Sequence, residues 1–588
     1  MILSALCKYY QRQVENGHSD IPLPGHTYLR ITHVFEISKQ GKLERVIPLG
    51  DKGQRSLVPW TLEAACRKSN IAAYVLVDKT KYALGFEGDT LTPEPGRAFR
   101  SIVSDLGART QDEGILAVHR FLQDWDPRAA RTWDEKEAVA LGTIAFKLQG
   151  DSCLVHERPA FRKYWEENWL TWGDYKFKVK AKCLVTGCEQ HIARIHQPLK
   201  EVKDSQTTGA ALVSFNKDAF SSYGKEQSYN APVGEEAAFA YTTALNHLLH
   251  KGNGHNIQIG DATTVFWTDR PAAQDAVRAL IDPDSVKETP RKKLHNKDEK
   301  KYSAVHELLM SLRDGEIPYF TDRNLLETQC YIFGLQANKA RIAVRFWHNC
   351  SLEELVHTVG RHYADIAMER QHDSQPVLPS IQQLLCAAAS IQSRKNAHLK
   401  DIDTVPPILS GALVRSILTG IPYPKSLFSI VLSRIRTDKQ ITYLRAATLK
   451  ACLLRNHPET AGDISISLDD ARRDAPYLLG RLFAVLEKAQ QDALGFEHGG
   501  AFRDRCFNTA TATPSRVFPQ LLRQSRQHVK TAEFGNAHAK KIRDVSQAID
   551  NFPPHLTLPE QGVFSIGYYH QKNVYHSTKK QEMPHGYH

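Results

Sequence analysis

The sequence predicts an α+β protein, with a mixed α/β N-terminal region followed by a mostly α-helical C-terminal bundle. Three observations carry this expectation. Short β-rich runs alternate with helical segments through residues 1–270. A polar, proline-bearing and strongly basic stretch, Arg270–Ser303, interrupts the alternation. Beyond about His372, segment after segment repeats its apolar residues at the 3.6-residue helical period.

In chain order, Ile2, Leu3, Leu6, Tyr10 and Val14 line one face of an opening helix. Ala72–Val77, Thr143–Leu148 and Ala211–Phe215 read as strands, and Glu113–Gln123 and Glu235–Leu249 as helices. In the last of these Ala238, Tyr241, Leu245 and Leu248 share a face. Glu235 and Glu236 occupy its first turn, where carboxylates favour the helix dipole. Residues 271–375 comprise a basic linker, running out through RKKLHNKDEKK, and a β-like segment, Ala340–Trp347, expected to rejoin the first sheet system. Residues 376–588 form the bundle, from Ser380–Arg394, Ile408–Thr419, Ser426–Arg436, Tyr477–Gln490 and Val517–Val529. The stripe Leu479, Leu482, Phe483, Leu486 and Ala489 shows the periodicity most clearly.

The 588 residues are enough for several folding units, and 41% hydrophobic with 24% charged residues is the balance of a globular chain with packed cores. Seventy-six Lys and Arg against 65 Asp and Glu give a net charge of +11, which suits a polyanionic partner through counterion release. Lys8 and Arg12 interrupt the first apolar run, so no signal peptide is expected, and no apolar run is long enough to span a bilayer. Ten cysteines scattered from Cys7 to Cys506 lack the spacing of a disulfide scaffold. A cytoplasmic protein with reduced thiols and no membrane partner is the expectation.

Several patterns bear on chemistry. Lys176, Lys178, Lys180 and Lys182 alternate with apolar residues, which on a strand puts four ammonium groups on one face. That row fits phosphate contact and a solvated strand face alike. Phe220–Pro232 interleaves Tyr223 and Tyr229 with Lys225, Gln227 and Asn230. Aromatic faces stack on bases, amides read base edges and lysine holds phosphate, although a loop whose amides bond to backbone has the same composition. Asn70 precedes the Ala72–Val77 run, and Lys79 and Lys81 follow it in an expected turn between strands. Arg434 and Arg436 on one helix, and Arg523, Arg526 and Lys530 at i, i+3 and i+7 on another, suit a single-stranded DNA groove or two ordinary solvated faces. Cys183, Cys188, His191 and His196 are zinc-ligand types. Their middle gap of two residues is too short for a Cys2His2 finger, so no metal site is expected. No phosphate-binding glycine loop, dinucleotide fingerprint or nucleophile elbow occurs, so no cofactor and no catalytic residue are expected.

The densest signal lies in Cys183–Asp269, which carries CLVTG, IARIH, TTGAALVSFN, FSSYGKEQSYNAP, AYTTALNHLL and IGDATTVFW in that order. These blocks resemble the large subunit of the type I-C CRISPR Cascade, an RNA-guided antiviral surveillance complex. The likeness extends to MILSALCKYYQR, GTIAFKLQGD, HERPAFRKYW, ARIAVRFWHN, ILTGIPYPKSLFSIVLSRIR, LGRLFAVLEKAQQDALG, DRCFNTATATPSRVFP and LTLPEQGVFSIGYYHQK. Departures are local. LKEVKDSQTTGA lacks a glycine usual in the family, and RCFNTA stands where an RYFGSA-like run is usual.

The resemblance implies a non-enzymatic DNA-recognition subunit. Such a subunit binds target duplex DNA, recognises the protospacer-adjacent motif, supports R-loop formation with the guide and holds the displaced single strand. Its partners would be a CRISPR RNA-containing complex with a repeated backbone subunit, a subunit capping the RNA 5′ end, and a recruited helicase–nuclease that cuts. A small subunit made from the same gene's C-terminal region is also implied, so the end of the bundle resembles a small-subunit-like domain. Residues 1–270 would inspect DNA, with Asn70, Lys79 and Lys81 reading or wedging the motif. Ser205, Gln206, Tyr223, Lys225, Gln227 and Asn230 would touch DNA or a neighbouring subunit. Two other classes stay open on residues alone: a metal-dependent nuclease, and a zinc-binding structural protein.

Overall fold

A computed structural model describes residues 2–50, 52–67, 71–128, 139–172, 179–283, 311, 323–389, 405–494 and 496–582. The fold is α+β, strands concentrating in the first half of the chain and helices in the second. The chain divides into two units, one of Met1–Asn253 with Ala337–Ala343, the other of Gly254–Gln336 with Val344–His588.

The first unit contains β1 (His26–Ile31), β2 (His33–Ile37), β3 (Leu43–Pro48), β4 (Gln54–Pro59), β5 (Asp78–Lys79), β6 (Phe86–Glu87), β7 (Thr90–Leu91), β8 (Thr143–Leu148), β9 (Lys180–Lys182) and β10 (Glu189–His191). Its main sheet has the order β3-β2-β8-β5. Strand β2 is buried along its whole length and pairs antiparallel with β3 and parallel with β8. The helices Pro93–Thr110 and Glu113–Asp124 lay Phe99, Val103, Leu106, Ile115, Val118 and Phe121 in one core with Phe35 and Phe146 of the sheet. Asp112 caps the second helix, its Oδ1 accepting the Gly114 and Ile115 N–H groups. The opening helix Ile2–Glu15 packs on Glu235–Leu249, with Tyr10 edge-on to Phe239 at 5.8 Å and Tyr9 Oη 3.1 Å from His247 Nδ1. Strands β1 and β4 form a separate two-stranded ribbon, as do β9 and β10.

Three expectations about strands are corrected here. Ala72–Val77 is a loop with Val75, Leu76 and Val77 buried. Leu76 adopts φ 62°, which breaks an extended path, and the Asp78 carboxylate takes the Tyr74 N–H that a ladder would use. The expected turn at Lys79–Lys81 is instead the junction between β5 and the short helix Thr80–Ala83, since the Asp78 carboxylate also binds the Lys79 N–H. Ala211–Phe215 is no strand either. Ala211 makes an isolated bridge to Arg341, and the residues after it are bends and coil.

A second four-stranded sheet has the order β11 (Asn256–Ile259), β12 (Ala262–Thr268), β13 (Gln329–Asn338) and β14 (Arg341–Ser351), in the second unit except for Ala337–Ala343 where β13 turns into β14. The run Ala340–Trp347, expected to rejoin the first sheet system, lies in β14 of this sheet, whose β11 and β12 come from residues 1–270, and its start, Ala340–Ala343, belongs to the first unit. It pairs with its chain neighbour β13 across the short Lys339–Ala340 connection, where loop closure costs least. Helices Gln274–Ile281 and Leu352–Ile366 contribute Val277, Leu280, Leu355 and Val359 to the core containing Phe266 and Ile332.

The helical part contains Pro407–Thr419, Lys425–Asp438, Tyr443–Asn456, Ala475–Leu494, Phe496–Ala512, Pro514–Thr531, Gly535–Gln547 and Leu558–Glu582. The last of these is central, and every residue from Gln561 to Gln571 is buried. It crosses Ala475–Leu494 so closely that a Cβ on Gly480 would lie 2.0 Å from the Phe564 carbonyl oxygen, and one on Gly567 2.2 Å from that of Tyr477. Phe483 fills the crossing, 5.8 Å from Phe507 and 6.1 Å from Phe564. Among the described residues no helix is long and apolar enough to cross a membrane.

Candidate nucleic-acid interface

The loop before β5 is organised by a buried ion pair. Arg67 donates to both Asp78 oxygens, at 2.8 and 2.7 Å, and to the Ala72 carbonyl at 2.8 Å. Its guanidinium lies 4.1 Å from the Tyr82 ring centre and 5.0 Å from that of Tyr74. Burial works against the charge, but the Asp78 hydrogen bonds outweigh it and raise the Arg67 pKa. The pair thus fixes both ends of the 71–78 segment. Lys79 emerges exposed, and half-exposed Lys81 lies 3.9 Å from Glu87. Asn70 lies outside the described residues.

The β9–β10 ribbon sets Lys182 opposite Glu189 and Lys180 opposite His191. Lys180 and Lys182 are exposed on one face, as the alternation predicts. Lys176 and Lys178 lie outside the described residues. At the end of the ribbon Cys183 Sγ accepts the N–H groups of Val185 (3.3 Å) and Gly234 (3.2 Å). Burial raises this thiol's pKa, yet the backbone donors, Gly234 first, outweigh it and the net shift is downward. The four zinc-type residues are not brought together. Cys188 is exposed, and His196 is buried with Nδ1 2.5 Å from Tyr241 Oη. Burial lowers the His196 pKa to about 4. Among the described residues no group of three or more His, Cys, Asp or Glu is placed to hold a metal ion.

Tyr223 is the most conspicuous candidate, being fully exposed. It occupies the first central position of a tight turn closed by Lys225 N–H to Ser222 C=O at 3.0 Å. Tyr223 has φ 53° and Gly224 φ 68°, the doubly positive pattern of a type I′ turn. Positive φ at a bulky aromatic is strained, and such strain persists where surrounding contacts enforce it. Asn230 enforces it here. Its Oδ1 accepts the Ser222 N–H at 2.8 Å, and its Nδ2 donates to the carbonyls of Lys225 at 2.8 Å and Gln227 at 2.9 Å. The Asn230 amide is therefore committed to the loop. Lys225 is exposed beside the turn, and Tyr229 is half-buried.

Gln206 and Gln227 line one recess of about 200 Å³ together with Cys66 and Arg194. Arg194 donates to Gln227 Oε1 at 2.9 Å, and Gln206 Nε2 donates to the Gly209 carbonyl at 3.0 Å. Ser205 bridges Lys339, while Arg341 lies 4.2 Å from the Phe220 ring centre and donates to Asn216. Sequence reasoning passed over Arg194 and Arg341. The expected return of the Ala340–Trp347 segment to the N-terminal region does not name the 205–211 loop, which Lys339 and Arg341 bridge, as its partner.

In the helical part the basic residues separate into two kinds. Arg445 and Lys450, which follow Arg434 and Arg436 in a basic run of the sequence, are themselves buried. Arg445 pairs with Asp438 and donates to the Ala387 and Ala389 carbonyls, and Lys450 donates to the Ala367 carbonyl at 2.8 Å. Burial lowers the Lys450 pKa to about 8. Arg436 donates to Gln561 of the central helix, and it and Arg434 are half-buried. By contrast Arg523, Arg526 and Lys530 are all exposed along Pro514–Thr531, and form no ion pair among the described residues. Arg516 extends their row toward the start of that helix.

These features describe a chain with a segment tied down by the Arg67–Asp78 pair, a rigidly presented aromatic and an exposed row of cations. Comparison with curated proteins returned no match. A family model described as CRISPR-associated protein (Cas_Csd1) matches residues 6–576. The match spans both units, so the chain belongs to this CRISPR-associated protein family.

Proposed function

We propose that the chain is the large subunit of a type I-C CRISPR interference complex. In this reading it binds target duplex DNA, recognises the protospacer-adjacent motif and supports R-loop formation with the guide RNA. It also holds the displaced strand and helps recruit a separate helicase–nuclease. The supporting observation is the family match across residues 6–576, joined to the order of sequence blocks in Cys183–Asp269. The chain itself cuts nothing; its binding energy deforms DNA while base pairing with the guide reads sequence, the division of labour known for single-protein effectors.

Residue roles combine what the family resemblance implies with local chemistry. Asn70, Lys79 and Lys81 act at the motif, where the Arg67–Asp78 pair gives the loop its shape. Tyr223 stacks on a base or on a neighbouring subunit, with Asn230 as its positioning residue and Lys225 beside it. Gln206 and Gln227 contribute from the recess beside that loop, and Ser205 from the residue before Gln206. Lys180 and Lys182, with Lys176 and Lys178 of the same row, contact phosphate, and Arg523, Arg526 and Lys530 hold the displaced strand. The test is binding of duplex DNA by the guide-loaded complex with and without this chain. Motif-dependent binding that requires the chain supports the reading, and motif-independent binding contradicts it.

A further inference from the structure

A second cleft in the first unit belongs to none of these sites. It has a volume of about 970 Å³ and opens between the β1–β4 ribbon and a wall containing Lys200, Asn246, His250 and Lys251. In the ribbon Arg30 stands directly opposite Arg55, so both guanidinium groups leave the same face. Like charges in that position destabilise a ribbon unless an anion joins them. Arg55 lies 3.7 Å from the Tyr28 ring centre and 3.2 Å from Asp20, a largely exposed pair that neutralises little. Arg30 reaches the Lys52 and Gly53 carbonyls at 3.5 Å each.

On the facing wall the Lys200 and Lys251 ammonium groups have no hydrogen bond or ion pair among the described residues. The carboxylate beside them, Glu201, is already engaged: it accepts the Lys251 backbone N–H at 2.8 Å and lies 3.1 Å from His250. Four permanent cations thus line the cleft against two carboxylates, Asp20 and Glu201, both occupied. Trp60, Phe239 and Gln197 line this cleft and also a smaller recess bounded by Trp169 and Trp172. In that shared wall Trp60 Nε1 and Gln197 Oε1 are buried without a partner among the described residues.

We propose that this cleft holds a single strand of nucleic acid by its phosphodiester backbone, with Arg30, Arg55, Lys200 and Lys251 on the phosphates. A positively charged groove that tracks the backbone is the electrostatic element that single-strand binding uses. The proposal shares with the functional reading only the premise that nucleic acid is the partner. Two strands carry this chemistry, the guide RNA and one strand of the DNA.

The test uses the complete guide-loaded complex carrying Arg30→Glu, Lys200→Glu and Lys251→Glu together. Salt dependence of target-DNA binding and guide-RNA content per complex are both measured. If the strand is DNA, the slope of log affinity against log salt falls by about 2, at about 0.7 per phosphate for single strands. RNA content then stays constant. If the strand is the guide, RNA content falls several-fold. Either result supports the cleft as a binding site, and an unchanged slope with unchanged RNA content overturns it. Lys200→Ala with Lys251→Ala, which alters only exposed side chains, gives the same readouts at about two-thirds of the slope change should the triple reversal fail to fold. Motif preference is scored separately: its absence from the unaltered complex refutes the functional reading and leaves the slope comparison intact.

Discussion

At the scale of the residue, Asn230 and Tyr223 form a single device. Removing the amide frees the turn that holds Tyr223 at positive φ. Asn230→Ala and Tyr223→Ala should each weaken DNA binding by the assembled complex by about 1–3 kcal/mol, the range for one base–aromatic stack. The double variant should lose no more than either alone; additive losses would show that the two act independently. Buried histidines supply a second residue-scale prediction. Burial lowers His196 and His570 to about 4, and His156 and His362 to about 3. Each folded-state value lies below the unfolded value of about 6.5, so the stability each contributes is present above that pH and is lost as pH falls toward the folded value. One such group gives a slope of up to about 1.4 kcal/mol per pH unit. The melting temperature should be flat above pH 7 and fall steadily below 6.5, less steeply in His570→Gln; a flat profile down to pH 5 would contradict this. Tyr223 stands out in the sequence because aromatics interleaved with amides are conspicuous, and the structure leaves it fully exposed. The roles of Asn230 and Asp78 were not legible there, since an amide that reads a base and one that ties a loop have the same letter.

At the scale of the element, amphipathic helices were legible and the most buried one was not. Glu235–Leu249 has the bounds that its periodicity predicts, and Tyr477–Gln490 lies within Ala475–Leu494. Within Leu558–Glu582 the stretch Gln561–Gln571 shows no polar–apolar alternation because it is buried at every position, and the buried Gln561, Ser565, His570, Gln571 and Asn573 disguise a core element as a surface one. The apolar run at Ala72–Val77 misled in the opposite sense: local apolar content cannot distinguish a strand from a buried loop tied by one carboxylate. Gly480→Ala should destabilise the helical part by about 1–3 kcal/mol or more, because its new methyl meets backbone rather than a movable side chain. An unchanged denaturation midpoint would show that the two helices separate easily. Charge reversal at Arg523, Arg526 and Lys530 should lower the salt slope for single-stranded DNA by about 2 and leave motif preference intact, since phosphate contacts carry no sequence information.

At the scale of the whole molecule, the distribution of basic residues is more informative than the net charge of +11. Arg445, Lys450 and Arg455 maintain the helical core, while the cations of the β1–β4 ribbon and of Pro514–Thr531 face outward. A separate C-terminal product would begin near Ala475, where Ala475–Leu494 starts after Asp474, whose Oδ2 accepts the Tyr477 N–H at 3.3 Å. No methionine lies between Met368 and Met583, so initiation there needs a codon read elsewhere as another residue. Mass spectrometry of the purified complex should find the fragment, and its absence would end that hypothesis. The central claim is that this chain confers motif recognition, and it is tested most directly by guide-loaded complex binding to a matched target beside a randomised motif library. A sharp motif preference that disappears without the chain, and relaxes in Asn70→Ala, is the predicted result. Equal binding to every motif, or the same preference without the chain, would contradict it.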